Sequence, residues 1–213
     1  MEIVKKIILF LIIGLYSLPA MPQKAVGAAE QLAMVKMIEK TASEIKSIQC
    51  EFRQVKRLNM LNEELVSTGM MFYRQPTHLR WEYVQPYEYT FIINDTKVMM
   101  KNSMQHTTVD ARQSRLFSEI TQIMVNSVTG KCLTEKSDFN VTIYNDNEER
   151  IAHLRPLKKE LKSVFRLVKL HIHPKKYIIS QIELVEKTGD VTNIYLSDYK
   201  TNIDIDEKMF IID

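Results

Sequence analysis

From residue 52 onward, most of the chain consists of short stretches in which apolar and polar residues alternate, and this period of two constrains the fold more than any other feature. Stretches of this kind, rich in β-branched and aromatic residues and separated by polar turns, predict antiparallel strands. The predicted strands are 52–58, 65–74, 78–84, 89–93, 97–101, 140–145, 150–154, 164–173, 177–186 and 191–199. Thr188-Gly189-Asp190 is a hairpin turn between the last two.

Two segments replace the alternation with a helical period. Residues 29–48 place apolar side chains three and four positions apart with charged residues between them, which predicts an amphipathic helix. A second helix is predicted from near Ser114 to Gly130. Each helix has one apolar face that must be buried. The order helix, five strands, helix, five strands therefore predicts an α+β, mainly β domain at 29–213, with two helices against one strongly twisted antiparallel sheet.

Residues 1–20 predict export. Lys5 and Lys6 precede an apolar run at 7–16, and small residues follow it. The run is shorter than the roughly 20 residues that span a bilayer, so a cleaved signal peptide is favoured over a retained anchor. Cleavage is expected after residue 20 or as late as residue 28, because small residues occupy the required positions at both places.

Charge and cysteine content narrow the functional classes. The formal net charge of +3 is too small to indicate a nucleic-acid partner. Cys50 and Cys132 lie too far apart for a zinc-type CxxC site, which leaves either one long-range disulfide or two buried thiols. The basic stretch at 155–176 is either a solvated hairpin or a surface for an acidic partner or anionic headgroup.

The sequence contains no recognisable catalytic motif. There is no Gly-x-Ser-x-Gly elbow, phosphate-binding glycine loop or His-Glu-x-x-His. His171 and His173 share a strand face, but no cysteine or carboxylate cluster accompanies them, so no metal is predicted. We therefore interpret the protein as non-enzymatic and without a cofactor.

Residues 69–86 carry a more specific pattern. They read Gly-Met-Met-Phe-Tyr-Arg-Gln-Pro-Thr-His-Leu-Arg-Trp-Glu-Tyr-Val-Gln-Pro: a glycine, an apolar strand, a proline, an Arg-Trp-Glu-Tyr strand and a second proline. This order resembles the signature of the bacterial outer-membrane lipoprotein carrier family, LolA. Further matches that extend the resemblance over nearly all of the mature chain are Phe52, Gln54, Leu154, Pro156 and the stretch from Gly189 to Phe210.

The resemblance implies a half-closed antiparallel β-barrel whose helical lid encloses a hydrophobic cavity. It also implies a monomeric periplasmic carrier that takes lipoprotein acyl chains from an inner-membrane ABC transporter of the LolCDE type to an outer-membrane acceptor. Two alternatives remain open from the sequence. One is a paralogue that carries another amphiphile, such as a glycolipid or polyene lipid. The other is a lipid-sensing or scaffold protein of the envelope that does not shuttle.

Strand parity selects the candidate binding residues. Leu79, Trp81 and Tyr83 share one face of their strand, whereas Arg80 and Glu82 share the other. The resemblance matches Leu79 and Trp81 to positions that line the cavity. The predicted lining is Met71, Tyr73, Leu79, Trp81, Tyr83, Phe91 and Ile93, and the predicted lid face is Leu116, Ile120, Ile123 and Met124. An apolar strand face that simply packs a core is the competing interpretation.

Two departures from the family pattern concern the lid and the partners. Family members commonly carry an arginine, thought to latch the lid, immediately before the first signature proline, where this chain has Gln75. Glutamine can donate two hydrogen bonds but lacks the charge-assisted strength of a guanidinium, so a weaker latch is expected. Many members also continue beyond the position of Asp213, which leaves open whether the usual transporter and acceptor are partners.

Overall fold

The structure, a computed structural model, describes residues 24–61, 63–113, 115–133, 138–146 and 149–212. The predicted signal peptide lies outside these residues. The helices are α1 Ala28–Glu44, α2 Arg115–Thr129 and α3 Lys159–Val164, and short 3-10 turns occupy Ala111–Gln113, Lys131–Leu133 and Glu207–Phe210. The strands are β1 Lys24–Ala25, β2 Ser47–Leu58, β3 Glu63–Arg74, β4 His78–Gln85, β5 Tyr89–Asn94, β6 Lys97–Asn102, β7 His106–Asp110, β8 Phe139–Asp146, β9 Glu149–Pro156, β10 Phe165–Ile172, β11 Ile179–Glu186 and β12 Val191–Thr201.

These strands form one antiparallel sheet in the order β1-β8-β9-β10-β11-β12-β2-β3-β4-β5-β6-β7. It consists of two meanders, joined where β12 pairs with β2 from Val191↔Arg57 to Thr201↔Ile48. The sheet is curved and open, with β1 and β7 at its two edges. The predicted mainly β, half-closed antiparallel architecture is confirmed.

The concave face of the sheet carries the main core. Paired strands place Cys50, Met71, Trp81 and Phe91 in one row across β2–β5, and Ile48, Tyr73, Leu79 and Ile93 in the next. Helices α1 and α2 cover this face. Their buried side chains in the core are Met34, Val35 and Ile38 from α1 and Ile123, Val125 and Val128 from α2.

The convex face is covered in part by the C-terminal segment. Phe210 is fully buried in a second cluster that also contains Ile92, Met99 and Ile205. The Arg80 guanidinium donates a hydrogen bond from Nη1 to the Met209 carbonyl oxygen at 3.3 Å, and Asn94 Nδ2 donates to the Phe210 carbonyl oxygen at 3.0 Å. The outward residues of β4 and β5 therefore anchor the end of the chain.

Several boundaries differ from the sequence-based expectation. Helix α1 ends at Glu44 rather than near residue 48, because Ile45 is extended and Ile48 already belongs to the inward row of β2. Strands β1 and β7 and helix α3 were not predicted. The basic stretch at 155–176, expected as a hairpin, includes α3 between β9 and β10. Gly130 has a φ of 74° and follows the last residue of α2, as predicted.

Both cysteines are free and buried. Of the two alternatives left open by the sequence, the structure therefore has the pair of buried thiols. Within the described part of the chain, no helix combines the length and apolar character needed to cross a membrane.

Candidate functional site

All seven predicted lining residues lie together on the concave side of β3, β4 and β5. Met71, Tyr73 and Leu79 are fully buried, and Trp81 and Ile93 nearly so. Tyr83 and Phe91 are partly buried against the same core. The period-two parity thus brings the chosen residues onto one apolar surface.

Aromatic rings form the densest part of this surface. Phe52 on β2, which was not chosen as a lining residue, lies 4.6 Å from the Trp81 ring and 5.0 Å from the Tyr83 ring, centroid to centroid. The alternation of Ile48, Cys50 and Phe52 on β2 is the sequence signal that could have found it. The Tyr83 hydroxyl donates to Gln54 Oε1 at 3.1 Å, and burial raises its pKa.

Gly69 makes this aromatic arrangement possible. A Cβ atom at position 69 would lie 1.9 Å from the Glu82 carbonyl oxygen and 2.8 Å from Cε1 of Phe52. Both are overlaps that backbone and ring cannot relieve without shifting. The glycine that opens the 69–86 signature is therefore required for Phe52 to pack where β3 meets β4.

The helices lie directly on the apolar surface, so the site is closed. Ile123 of the predicted lid face is buried and Met124 is partly buried against the core, whereas the side chains of Leu116 and Ile120 are outside the described set. A cavity of about 10 Å³, room for one water molecule, remains between the ends of the helices and the sheet, beside Ile45 and Tyr199. Ligand pockets measure about 300–1,000 Å³, so a large occupant reaches the surface around Trp81 and Leu79 only if the helices move. An open groove of about 680 Å³ lies elsewhere, between α1 and the β10–β11 connection, and is lined in part by Met34, Met37 and Tyr177.

Two amides hold the C-terminal end of α1. Gln75 Nε2 donates to the Ile45 carbonyl oxygen at 2.7 Å and to the Ala42 carbonyl oxygen at 3.4 Å. From β12, Asn202 Nδ2 donates to the Glu44 carbonyl oxygen at 3.2 Å. These contacts satisfy carbonyl groups that the end of a helix leaves without partners.

Near the N-terminal end of α1, the side chain of Gln31 bonds to the sheet. Gln31 Nε2 donates to the Val141 carbonyl oxygen at 3.2 Å, and Gln31 Oε1 accepts from the Ile143 backbone N–H at 3.1 Å. The side-chain amide thus donates to and accepts from the backbone of β8, as a peptide group of a neighbouring strand would. Sequence reasoning missed both Gln31 and Asn202, because a polar residue at the end of a helix or strand carries no signal of a distant partner.

Helix α2 is held by charge and by close packing. Lys158 Nζ bonds to Glu119 Oε1 at 2.7 Å and to Asp138 Oδ2 at 2.9 Å, and these hydrogen bonds raise the pKa of the lysine. At the end of α2, a Cβ on Gly130 would lie 2.6 Å from Cγ2 of Ile38, so the glycine permits the two helices to meet.

Arg74 cannot take the place of the family arginine. As expected from strand parity, it faces away from Gln75, and its Nη1 lies 3.7 Å from Oε1 of Glu207 in the C-terminal segment. The contact with the end of α1 at this position is therefore made by an uncharged amide.

Burial holds three titratable groups around the site in their neutral form. Burial raises the pKa of the Cys50 and Cys132 thiols to about 12. Burial also raises the pKa of Tyr199, whose hydroxyl donates to the Ile179 carbonyl oxygen. Groups held in their neutral form suit an apolar occupant and provide no nucleophile at neutral pH.

Comparison with known proteins places this architecture in a family. The model for "Outer membrane lipoprotein carrier protein LolA" matches residues 43–213. The chain belongs to the LolA family. The resemblance drawn from residues 69–86 is thereby confirmed. An outer-membrane lipoprotein carrier protein of Methylococcus capsulatus is 27% identical over 170 residues, covering 78% of this chain and 76% of that protein.

Comparison with solved structures gives matches at low sequence identity. MucB superposes with a TM-score of 0.51 at 10% identity, over 88% of this chain and 64% of that one. A LolA superfamily protein from Nitrosomonas europaea gives 0.48 at 10% identity, over 85% and 97% of the two chains. The Mycobacterium tuberculosis lipoprotein LppX gives 0.49 at 8% identity, over 84% and 100%.

Proposed function

We propose that this member of the LolA family is a periplasmic carrier that binds the acyl chains of a lipoprotein between its concave sheet face and the lid formed by α1 and α2. It moves them from the inner to the outer membrane and catalyses no reaction. The observation that carries the proposal is the continuous apolar surface of β2–β5 under helices whose ends are tied to the sheet by side-chain hydrogen bonds.

The proposed binding residues are the inward side chains that α1 and α2 cover. When the lid lifts, the rows containing Trp81 and Leu79 become available to acyl chains, which replace the apolar contacts that the helices gave up. Burial of a methylene group contributes about 0.8 kcal/mol. Several buried methylene groups therefore offset contacts that the helices gave up, and the side-chain ties at the ends of α1 are proposed to hold the helices over the bound chain.

Gln75 is the proposed latch of the closed state. Its amide bridges two carbonyl groups at the end of α1, and each neutral hydrogen bond contributes about 1 kcal/mol. An arginine at this position would form charge-assisted bonds of roughly twice that strength. The protein is therefore expected to release its cargo more readily than a family member that has the arginine.

Cargo binding is tested by mass spectrometry of organic extracts of the mature protein, purified without detergent from its native envelope. Stoichiometric acylated peptides identify a lipoprotein cargo, whereas a co-purified glycolipid or polyene lipid identifies the paralogue alternative. Trp81→Glu places a charge in the apolar site and should abolish co-purification. Val84→Glu is the matched control, since Val84 lies on the same strand and is 52% exposed.

A transfer assay separates a shuttle from a sensor. Loaded protein is mixed with acceptor membranes that contain the outer-membrane acceptor of the host, and the acylated cargo that reaches the membranes is counted. A shuttle delivers its cargo, whereas a sensing or scaffold protein keeps it. Retention of bound cargo under these conditions would contradict the carrier proposal while leaving lipid binding intact.

A further inference from the structure

One end of the half-barrel carries most of the protruding apolar side chains. Because the strands are antiparallel, the turns β2–β3, β4–β5, β6–β7 and β11–β12 all lie at the same end of the sheet, which we name the tip end. Three of these turns expose a large apolar residue: Met60 is 91% exposed, Tyr87 81% and Met104 90%. Soluble surfaces carry such residues singly, so their concentration at one end indicates a contact surface.

The β2–β3 hairpin projects past the end of its neighbour β4. Strand β3 pairs with β2 along its whole length, but its pairing with β4 begins only at Thr68. The five residues from Glu63 to Ser67 therefore extend about 16 Å past the end of β4, at roughly 3.3 Å per residue. Leu65 and Val66 point to opposite faces of this extension, and both are exposed. The hairpin thus presents apolar side chains on both faces and, with Met60 and Leu61, at its turn.

The projection is held in place by its neighbour. The Asn59 backbone N–H donates to Asp190 Oδ1 at 3.0 Å, and Lys56 Nζ pairs with Glu186 Oε1 at 2.9 Å. Both partners belong to the β11–β12 hairpin. The β11–β12 hairpin therefore holds the exposed turn in one conformation, so little conformational entropy is lost when the turn binds a partner.

Basic residues adjoin these turns at the same end. Lys159, Lys162 and Arg166 on and after α3 are exposed, and among the described residues none of them forms an ion pair. The Lys187 backbone N–H donates to the Val164 carbonyl oxygen at 2.9 Å, which joins α3 to the β11–β12 turn. The 55% exposed Leu157 lies just before α3. The tip end thus combines unpaired cations at α3 with apolar projections, while the exposed Glu63 and Glu88 place two carboxylates on the neighbouring turns.

We propose that the tip end docks on the surface of an anionic phospholipid membrane. The β2–β3 turn inserts beyond the headgroups, Tyr87 behind it reaches the headgroup region, and the α3 cations contact the phosphates. Separate side chains on separate turns suit a fluid interface, because each inserts independently, whereas a protein partner would need a matched pocket for every one. Tyrosine is favoured at the headgroup level, and each lysine or arginine near an anionic surface strengthens binding about fivefold.

The proposal concerns the surface presented to the membrane and not the cargo site. It would hold for any lipid carried, and its test uses protein without cargo. A failure of membrane docking would leave the proposed acyl-chain binding untouched, and the reverse is equally true.

The test is co-sedimentation with large unilamellar vesicles. Vesicles of phosphatidylethanolamine and phosphatidylglycerol are compared with vesicles of phosphatidylcholine, at low and high salt. The wild-type protein should bind the anionic vesicles and be released by salt. The pair Met60→Asp and Leu61→Asp should weaken binding by about tenfold or more, whereas Tyr195→Asp, an exposed tyrosine in the middle of β12, should not.

A second pair of variants tests the cations. Lys159→Glu with Lys162→Glu should weaken binding to anionic vesicles by more than about tenfold. Lys175→Glu with Lys176→Glu makes the same charge change at the opposite end of the sheet and should have little effect. Equal losses in the two charge variants, or no vesicle binding by the wild type, would overturn the proposal. If only acceptor-protein binding responded to the tip variants, the partner at this end would be a protein and the membrane proposal would be wrong.

Discussion

Substitution of Gln75 is the most direct way to change the stability of the closed lid. Its Nε2 atom donates to two carbonyl oxygens at the end of α1, at 2.7 and 3.4 Å. Gln75→Ala removes both contacts, and Gln75→Arg replaces them with a charged donor beside the negative end of the helix dipole. Gln75→Glu places an acceptor and a negative charge against the same carbonyl oxygens. The three substitutions therefore change the closed state in a defined order.

The magnitudes follow from the geometry. The 2.7 Å contact has good hydrogen-bond length and the 3.4 Å contact is marginal, so Gln75→Ala should cost the closed state about 1 kcal/mol. This corresponds to about a fivefold increase in the opening equilibrium. Gln75→Arg should favour closure by a similar amount, since charge-assisted bonds are roughly twice as strong. Gln75→Glu should open the lid more than the alanine variant does.

The assay is the release rate of a bound fluorescent acyl probe, followed by stopped flow into acceptor vesicles. Release through lid opening should accelerate about fivefold in Gln75→Ala and slow by a similar factor in Gln75→Arg. Thr77→Ala is the matched control, because the Thr77 hydroxyl lies two residues away and its described hydrogen bond is to Asp95 and not to α1. Unchanged release in Gln75→Arg would refute the latch, as would equal acceleration by the Thr77 variant.

Three further outcomes are expected. Asn202→Ala removes the second tie to α1 and should speed probe release about fivefold. Phe210→Ala should lower the free energy of unfolding by about 3–5 kcal/mol in urea titration, whereas truncating the exposed Ile211 should change it little. Burial raises the pKa of the Cys50 and Cys132 thiols from 9.0 to about 12, so unfolded thiols ionise first, and stability should fall as pH rises above 9. Replacing both cysteines with alanine should flatten that fall, and an unchanged slope would contradict it.

Strand parity explains why much of the concave surface could be predicted. A side-chain period of two assigns Leu79, Trp81 and Tyr83 to one face without knowledge of the partner strands, and the observed register then joins them to Met71 and Phe91. The apolar alternation also predicted the order of most strands. The two helices were predicted in a similar way, from a period near 3.6 residues that gives each helix one apolar stripe to bury against the sheet.

The ties that close the lid could not be predicted in this way. Gln31 and Val141 are 110 residues apart, and Asn202 and Glu44 are 158 residues apart. These contacts depend on where the ends of α1 fall against the sheet, and hydrophobic periodicity does not determine that position. Gln75 was identified because the family resemblance pointed to its position, and its bonding partners at Ala42 and Ile45 emerged only with the fold.

The strength of the contacts that hold the lid determines how well a carrier protects an acyl chain and how readily it releases it. In the closed state apolar side chains fill the space between helices and sheet, so the empty protein keeps its inner surface from water. The polar ties at the ends of α1 are neutral bonds worth about 1 kcal/mol each. Each buried methylene contributes about 0.8 kcal/mol, so even part of an acyl chain balances the loss of such a tie. A lid secured by neutral amides rather than a guanidinium therefore shifts the balance toward exchange, because less free energy separates the lid held over the chain from the open lid through which the chain enters and leaves. Tight retention, if this protein has it, must then come from the apolar surface and not from the latch.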